Sequence, residues 1–285
     1  MSRVNFLKTF LLMAVLTVVL VLLGGAIAGE NGLIAAFILA LALNMMAYWF
    51  SDRIAVSMTR SKPLEEKEAP QVYRALKELT ANAAMPMPRV YLMPTEQPNA
   101  FAAGRNPSNA VVSVTSGLLK ILDYAEMKGV LAHELAHIRN RDILISTIAA
   151  VMAGALVFIS RIGMWGMMFG GGQRRSEGGA PVALIRMLAL ILAPLAAILI
   201  RMAISRTREY GADQTGAQIS GNPKDLASAL AKMESYARQR PMLQLNDAAS
   251  HMFIINPLSA RGLSNLFSTH PPIRERIERL NRIEP

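Results

Sequence analysis

The chain has no cysteine in 285 residues, only four histidines, and few aromatics, at 6%. Without cysteine there is neither a disulfide framework nor a thiolate metal site, so a bound metal would have to use imidazole and carboxylate. The same absence fits a reducing compartment. Charged residues are sparse at 18%, against 52% hydrophobic, a composition that suits one sizeable domain plus membrane segments. Acidic residues are scarcer than basic ones, 20 against 30, which leaves a net charge of +10. Nucleic acid is a poor match for that excess, because the basic residues are scattered with few aromatics among them. An anionic membrane surface is the better match.

Long apolar runs are abundant. Phe10 to Ala28 is nineteen residues without a charge. At about 1.5 Å per residue it covers close to the roughly 30 Å hydrocarbon core of a bilayer. Ala26-Ile27-Ala28 has the form of a signal-peptide cleavage site. A second run, Leu33 to Phe50, follows after only four residues and ends in Tyr48-Trp49-Phe50, which suits a membrane interface. An uncleaved transmembrane hairpin, linked through Gly29-Glu30-Asn31-Gly32, is therefore the favoured reading. Ile143 to Ser160 is a third uncharged run. A fourth, Val182 to Ile204, is interrupted by Arg186 and Arg201, so a buried or interfacial helix is an alternative to a span there. A glycine-rich connector, 170–179, separates the two.

This gives four parts: a hairpin over 1–50, a soluble part over 51–142, two further membrane segments over 143–204, and a helical part over 205–285. Twelve lysines and arginines lie between Ser51 and Asp142 and twelve from Arg201 onward. Only Arg161, Arg174 and Arg175 lie between the third and fourth runs, and none in the first link. That asymmetry places both soluble parts in the cytoplasm.

Within the soluble parts, Val72, Leu76, Leu79 and Ala83 share one helical face, and the Met85-Pro86-Met87-Pro88 segment ends that helix. Arg89 to Met93 and Ala110 to Thr115 read as strands. Between them, Pro98 to Gly104 reads as a loop or edge strand carrying one exposed aromatic, Phe101. Asn222-Pro223 opens a helix with Leu226, Leu230, Met233 and Ala237 on one face, and Pro271-Pro272 opens a last one carrying Ile273, Ile277 and Leu280.

The stretch with chemical content is His133-Glu134-Leu135-Ala136-His137, an H-E-x-x-H motif inside an apolar run. With so few histidines, roughly 0.003 such matches are expected by chance. On a helix, residues four apart share a face, so both imidazoles can meet one metal ion while Glu134 reaches a water beside it. Asp123 and Glu126 have capping-box spacing at the start of that helix, and Asn140 is its stop. Gly129, one turn before His133, allows another backbone or a substrate to come close. A catalytic zinc takes three protein ligands and one open position. Glu209 and Asp213, four apart on the same side of the membrane, supply the candidates: one to ligate, the other to steady an imidazole through its second nitrogen.

The chain resembles the HtpX family of membrane-bound zinc metalloproteases. The resemblance rests on Pro98-Asn99-Ala100-Phe101-Ala102, Thr115-Ser116-Gly117-Leu118-Leu119, the H-E-x-x-H motif followed by Asp142, and Arg208-Glu209-Tyr210-x-Ala212-Asp213. It continues through Asn256-Pro257-Leu258 and Ser268-Thr269-His270-Pro271-Pro272. It implies an α-helical integral membrane protein of about four transmembrane helices with an α+β, zincin-like protease domain. By the same resemblance His133, His137 and Glu209 bind one Zn2+, Glu134 is the general base, and Asp213 supports a ligand. Asn99, Ala100 and Phe101 would line the substrate cleft, extended substrate pairing there as an added strand. His270 either assists the oxyanion or caps the last helix, and His251 has no assigned role. The implied activity is cleavage of misfolded proteins in a bacterial inner membrane, the active site facing the cytoplasm. The partners are protein substrates and the lipid bilayer, without nucleic acid. A non-proteolytic zinc scaffold or chaperone is the alternative; Glu134 speaks against it, since a structural site needs no base. A transporter is disfavoured because the spans offer no acid and only Asn44, Arg186 and, near the end of the fourth run, Arg201 as strongly polar residues.

Overall fold

The computed structural model describes residues 3–145, 148, 206–240, 254 and 271–284. The fourth apolar segment, nearly all of the third, His251 and His270 lie outside the described residues.

The first helix, α1 (Arg3–Trp49), is 47 residues long but not straight. Gly29 adopts φ +61, and Asn44 Nδ2 donates to Thr17 Oγ1 at 2.9 Å and to Met13 O at 3.3 Å. In a straight helix residues 27 apart lie about 40 Å from each other. The chain therefore doubles back at Gly29 into two antiparallel arms, at the link anticipated from sequence. A Cβ on Gly24 would overlap Gly32 and Ala36 of the other arm, so only glycine admits this close approach. The second arm, Gly29–Trp49, is 21 residues with mean hydropathy 1.9, long and apolar enough to cross a bilayer. The first contains a shorter apolar stretch, Thr9–Leu22. Leu22, Phe10 and Ile38 are each more than 60% exposed, a surface that suits lipid rather than water.

A short helix, α2 (Ser51–Met58), leads from the hairpin into a four-stranded sheet of order β1-β2-β4-β3. The strands are β1 (Lys62–Pro63), β2 (Arg89–Met93), β3 (Ala100–Gly104) and β4 (Ala110–Thr115). β2 and β4 are parallel, joined by a crossover through β3, which returns antiparallel on the outer edge of β4. β2 and β4 fall where the sequence pattern put them, and the Pro98 to Gly104 segment holds the edge strand. Phe101 is not exposed. At 4% it packs with Ala55, Met93 and Val111 on the α2 side of the sheet.

The main core lies on the other side. There α3 (Pro70–Ala83) contributes Val72, Leu76 and Leu79, each fully buried. A short α4 (Ser116–Ile121) follows β4, and then α5 (Tyr124–Arg139) runs through the middle of the core. Val130, Leu131, Ala132, Leu135 and Ala136 are all at 0% exposure, so α5 is apolar around most of its circumference, as a central helix must be. Truncating Leu131 or Leu135 to alanine would cost about 2–5 kcal/mol. The first turn of α5 is closed by the anticipated capping box: Glu126 N donates to Asp123 Oδ1 at 2.9 Å, and Asp123 N to Glu126 Oε2 at 3.0 Å.

Three further helices pack around it: α6 (Arg206–Ser220), α7 (Pro223–Gln239) and α8 (Ile273–Asn281). Gly129 is where α7 arrives; a Cβ there would lie 2.6 Å from Leu226 N. Gly216 lets α6 approach His133, with a built Cβ 3.0 Å from His133 N. Gly129 thus sets how near α7 comes to α5, and Gly216 sets how near α6, the helix of Glu209, comes to His133.

Candidate metal centre

His133 and His137 are one turn apart on α5, and their Nε2 atoms lie 3.1 Å from each other. Glu209 enters from α6, with Oε2 3.8 Å from His133 Nε2 and Oε1 3.6 Å from His137 Nε2. One ligand atom from each of the three lies within 4.8 Å of the others. The sequence therefore picked out three residues that the fold brings together across 76 positions of chain.

Each imidazole is held from behind by a carboxylate. Asp213, one turn after Glu209 on α6, sits with Oδ1 2.9 Å from His133 Nδ1. Asp142 Oδ2 is 3.2 Å from His137 Nδ1. Asp142 reaches back because Arg141 turns the chain with φ +62, and Asp142 N then donates to His137 O at 3.2 Å. The helix stops at Asn140 as expected, and the left-handed conformation falls on the next residue, Arg141. Binding Nδ1 fixes both rings so that their Nε2 atoms face the cleft. Asp142 follows the motif in sequence without an assigned role there; its place just beyond the helix end is the available signal.

A second residue went unread. Arg276 of α8 is 0% exposed and forks onto Asp213, Nε to Oδ2 at 2.9 Å and Nη2 to Oδ1 at 2.7 Å. Its Nη1 lies 3.6 Å from Glu209 Oε2. One guanidinium thus ties the last helix to both acids of α6. The signal was periodicity: Arg276 lies three residues after Ile273 and four before Leu280, so it occupies a core position of an otherwise amphipathic helix.

The electrostatics show what the cleft is built to hold. Glu134, Asp142, Glu209 and Asp213 bring four negative charges, with Arg276 and Arg208 as the neighbouring guanidiniums. Four carboxylates against two guanidiniums leave an excess of two negative charges. Protonation of His137 offsets one of these charges, and part-protonation of Glu134 offsets some of the other. Burial disfavours charge on His137, but Asp142 and then Glu209 outweigh it and hold the imidazole up at about 10. Burial pushes the Glu134 carboxyl up to about 7. Burial also raises Asp213, yet Arg276 and His133 bring it down to about 2, so it stays a carboxylate. His133 is lowered by burial and by Arg276, which keeps its ring neutral. A divalent cation would offset the same excess, and two imidazoles with one carboxylate match the donor set of a catalytic zinc.

Glu134 lies on the β3 side of the cleft, where the Ala102 backbone N–H donates to its carboxylate. The remaining cleft residues from the sequence reading are buried. Asn99 is 0% exposed and accepts from Ile254 N at 2.8 Å, while its own N donates to Thr115 Oγ1 at 2.8 Å. Ala100 faces the main core and Phe101 the smaller one. None of the three offers its side chain to a substrate; among the described residues only the outer backbone edge of β3 is open.

A buried helix with two metal-facing imidazoles, an acid beside them and a carboxylate arriving from a second helix is the arrangement of a metallopeptidase. Residues 66–284 match the sequence model of peptidase family M48. The chain is 54% identical over 276 residues to a protein named "Protease HtpX homolog" from Syntrophobacter fumaroxidans, covering 96% of this chain and 97% of that one. A protein of the same name from Pyrococcus furiosus is 52% identical over 278 residues, 98% and 96% of the two chains. Among solved structures, the crystal structure of S. mikatae Ste24p superposes with a TM-score of 0.50 at 18% identity, over 86% of this chain and 57% of that one, a likeness of fold. The chain belongs to peptidase family M48 and is a metallopeptidase.

Proposed function

We propose that the chain is a zinc-dependent endopeptidase set in a bacterial inner membrane. It would cleave misfolded or damaged membrane proteins, with its active site on the cytoplasmic side. The observation that carries this reading is the convergence of His133, His137 and Glu209 beside a buried Glu134, next to a strand with one open edge.

In this reading His133, His137 and Glu209 hold the metal. Once bound it supplies Lewis-acid polarisation of the scissile carbonyl and acidifies water in the cleft. Glu134 takes the proton from the attacking water and delivers it to the leaving amine, one side chain acting as base and then as acid. Asp142 and Asp213 keep the imidazoles turned toward the cleft, and Arg276 keeps Asp213 ionised. An extended substrate would pair with the outer edge of β3 through backbone hydrogen bonds. Because the Ala102 N–H on that edge already serves Glu134, a substrate strand and the base share one short piece of backbone. A role for His270 at the oxyanion belongs to the same reading.

The membrane placement rests on the α1 hairpin, on the apolar segments 143–160 and 182–204, and on the distribution of lysine and arginine. Both later segments must cross, or neither, for Glu209 to reach His133. Single cysteines at Ser116, Ser176 and Ser228 of this cysteine-free chain, probed with a membrane-impermeant thiol reagent, test it. Four spans predict labelling of Ser176→Cys from outside and of the other two only from inside. Labelling of Ser116→Cys and Ser228→Cys from opposite sides would end the proposal. Chelator-sensitive cleavage by purified protein, restored by zinc, tests the chemistry.

A further inference from the structure

At the foot of the hairpin lies a cavity of about 640 Å³ that the peptidase chemistry does not use. Its walls are of two kinds. Met45, Met46 and Trp49, from the end of α1, are each at least 51% exposed and make an apolar side. Arg53 of α2, Arg89 at the start of β2 and Arg105 just after β3 make a cationic side. Asp52 is the one acid in the lining, and it forms an ion pair with Arg89. Three guanidiniums against one carboxylate leave the cavity with a charge of +2.

The arginines are already arranged against the aromatic foot. Arg105 Nη1 donates to Trp49 O at 2.8 Å, and its guanidinium lies 4.8 Å from the Trp49 ring centroid. Arg53 sits 5.5 Å from the ring centroid of Phe50. A guanidinium stacked on a ring keeps its N–H groups directed outward along its edge, free to fork onto a phosphate. Depth fits as well. With Gly29–Trp49 across the hydrocarbon core, Trp49 stands at the interface, so Met45 and Met46 fall among acyl chains and the three arginines at headgroup level.

We infer that this cavity is a site for one anionic phospholipid. Its phosphate would sit between Arg53 and Arg105, and its acyl chain would lie along Met45 and Met46. Zwitterionic lipid fits less well because its own ammonium offsets the phosphate against a cationic wall. The site would also couple the membrane to the catalytic centre. Arg105 directly follows β3, the strand whose Ala102 N–H serves Glu134, and Arg89 opens β2 two strands away. A lipid held there fixes the height of the sheet, and so of the cleft, above the bilayer. The inference rests on the membrane placement of α1 proposed above.

The test uses the full chain with Trp165→Phe, which leaves Trp49 as its sole tryptophan, reconstituted in phosphatidylcholine vesicles. A minority of the lipid is either phosphatidylglycerol or phosphatidylcholine, brominated on the acyl chains near the glycerol. The expected result is stronger quenching of Trp49 by the brominated phosphatidylglycerol. Arg53→Gln or Arg105→Gln should each lower that preference about fivefold. Arg60→Gln, an exposed cation outside the cavity, should leave it unchanged. Equal quenching by the two lipids, or an equal loss in Arg60→Gln, would overturn the site while leaving α1 in the membrane. Quenching by neither would remove the membrane placement itself. Release of the effect by inorganic phosphate at low concentration would show a free-anion site and overturn the lipid assignment. Should Trp165→Phe not fold, enrichment of phosphatidylglycerol among lipids co-purified with the native chain, lost in Arg53→Gln, reads the same preference.

Discussion

The two ends of α5 carry polar clusters built in opposite ways. At the N-terminal end Asp123 and Glu126 cap each other, Ser228 donates to Glu126 at 2.8 Å, and Lys232 pairs with it at 2.6 Å. Every group there meets a partner of matching kind, and Lys232 keeps 44% of its side chain in water. At the other end the groups are buried, and four carboxylates face only two guanidiniums. The first cluster stabilises the fold. The second costs stability unless it is filled, which is how a site differs from a structural network on the same helix.

The largest effects should come from breaking the filled end. Glu209→Ala removes one of the three proposed ligands and should abolish stoichiometric zinc together with cleavage, measured by metal analysis beside a protease assay. Glu134→Gln should lower cleavage about 10²–10⁴-fold while zinc stays bound, because only the proton carrier is lost. Hydrolysis retained by Glu134→Gln would show that another group is the base.

Next in size is Arg276→Met. It leaves Asp213 buried beside Glu209 without its guanidinium, a change worth about 3–5 kcal/mol. The expected outcome is a lower urea midpoint that Asp213→Asn in the same chain partly restores. Asp213→Ala alone should weaken zinc about 10–100-fold, since His133 then loses the group that orients its Nδ1. If Asp213→Ala abolished zinc and Glu209→Ala merely weakened it, the two acids of α6 would have exchanged roles.

How much of this was open to a reader of the sequence follows from which interactions are local. The capping box, the H-E-x-x-H face, the turn at Gly29 and the apolar faces of α3 and α7 repeat at short spacing, and periodicity exposes them. Glu209 and Asp213 were visible as a pair, but which of them faces the metal depends on how α6 docks, and that is set by Gly216 against His133. Arg276 was hidden because an arginine reads as surface unless its place in the helix repeat is weighed. Asn99 and Phe101 misled for the converse reason. A short strand with one turn-like end looks exposed until α5 and α2 cover its two faces and β4 pairs along one edge, and those contacts are long-range.

The smallest effect should come from the capping end. Asp123→Ala removes the acceptor for Glu126 N and should cost about 1 kcal/mol, with zinc content and cleavage at neutral pH unchanged. The same end predicts a pH dependence. Burial pushes the Glu126 carboxyl up, but Lys232, the Asp123 N–H and Ser228 outweigh it and hold it below its ordinary value. A carboxyl lowered in the folded state contributes stability above its unfolded value of about 4.3, and that contribution is lost as pH falls through the folded value. Unfolding midpoints recorded from neutral to acid pH should therefore fall more steeply for the native chain than for Glu126→Gln, which lacks the titrating group. The two curves should converge once the carboxyl is protonated. Zinc affinity should be the same in both proteins throughout. A loss of zinc in Glu126→Gln or Asp123→Ala comparable to that in Asp213→Ala would mean that the two ends of α5 are one coupled network, and the contrast between them would fail.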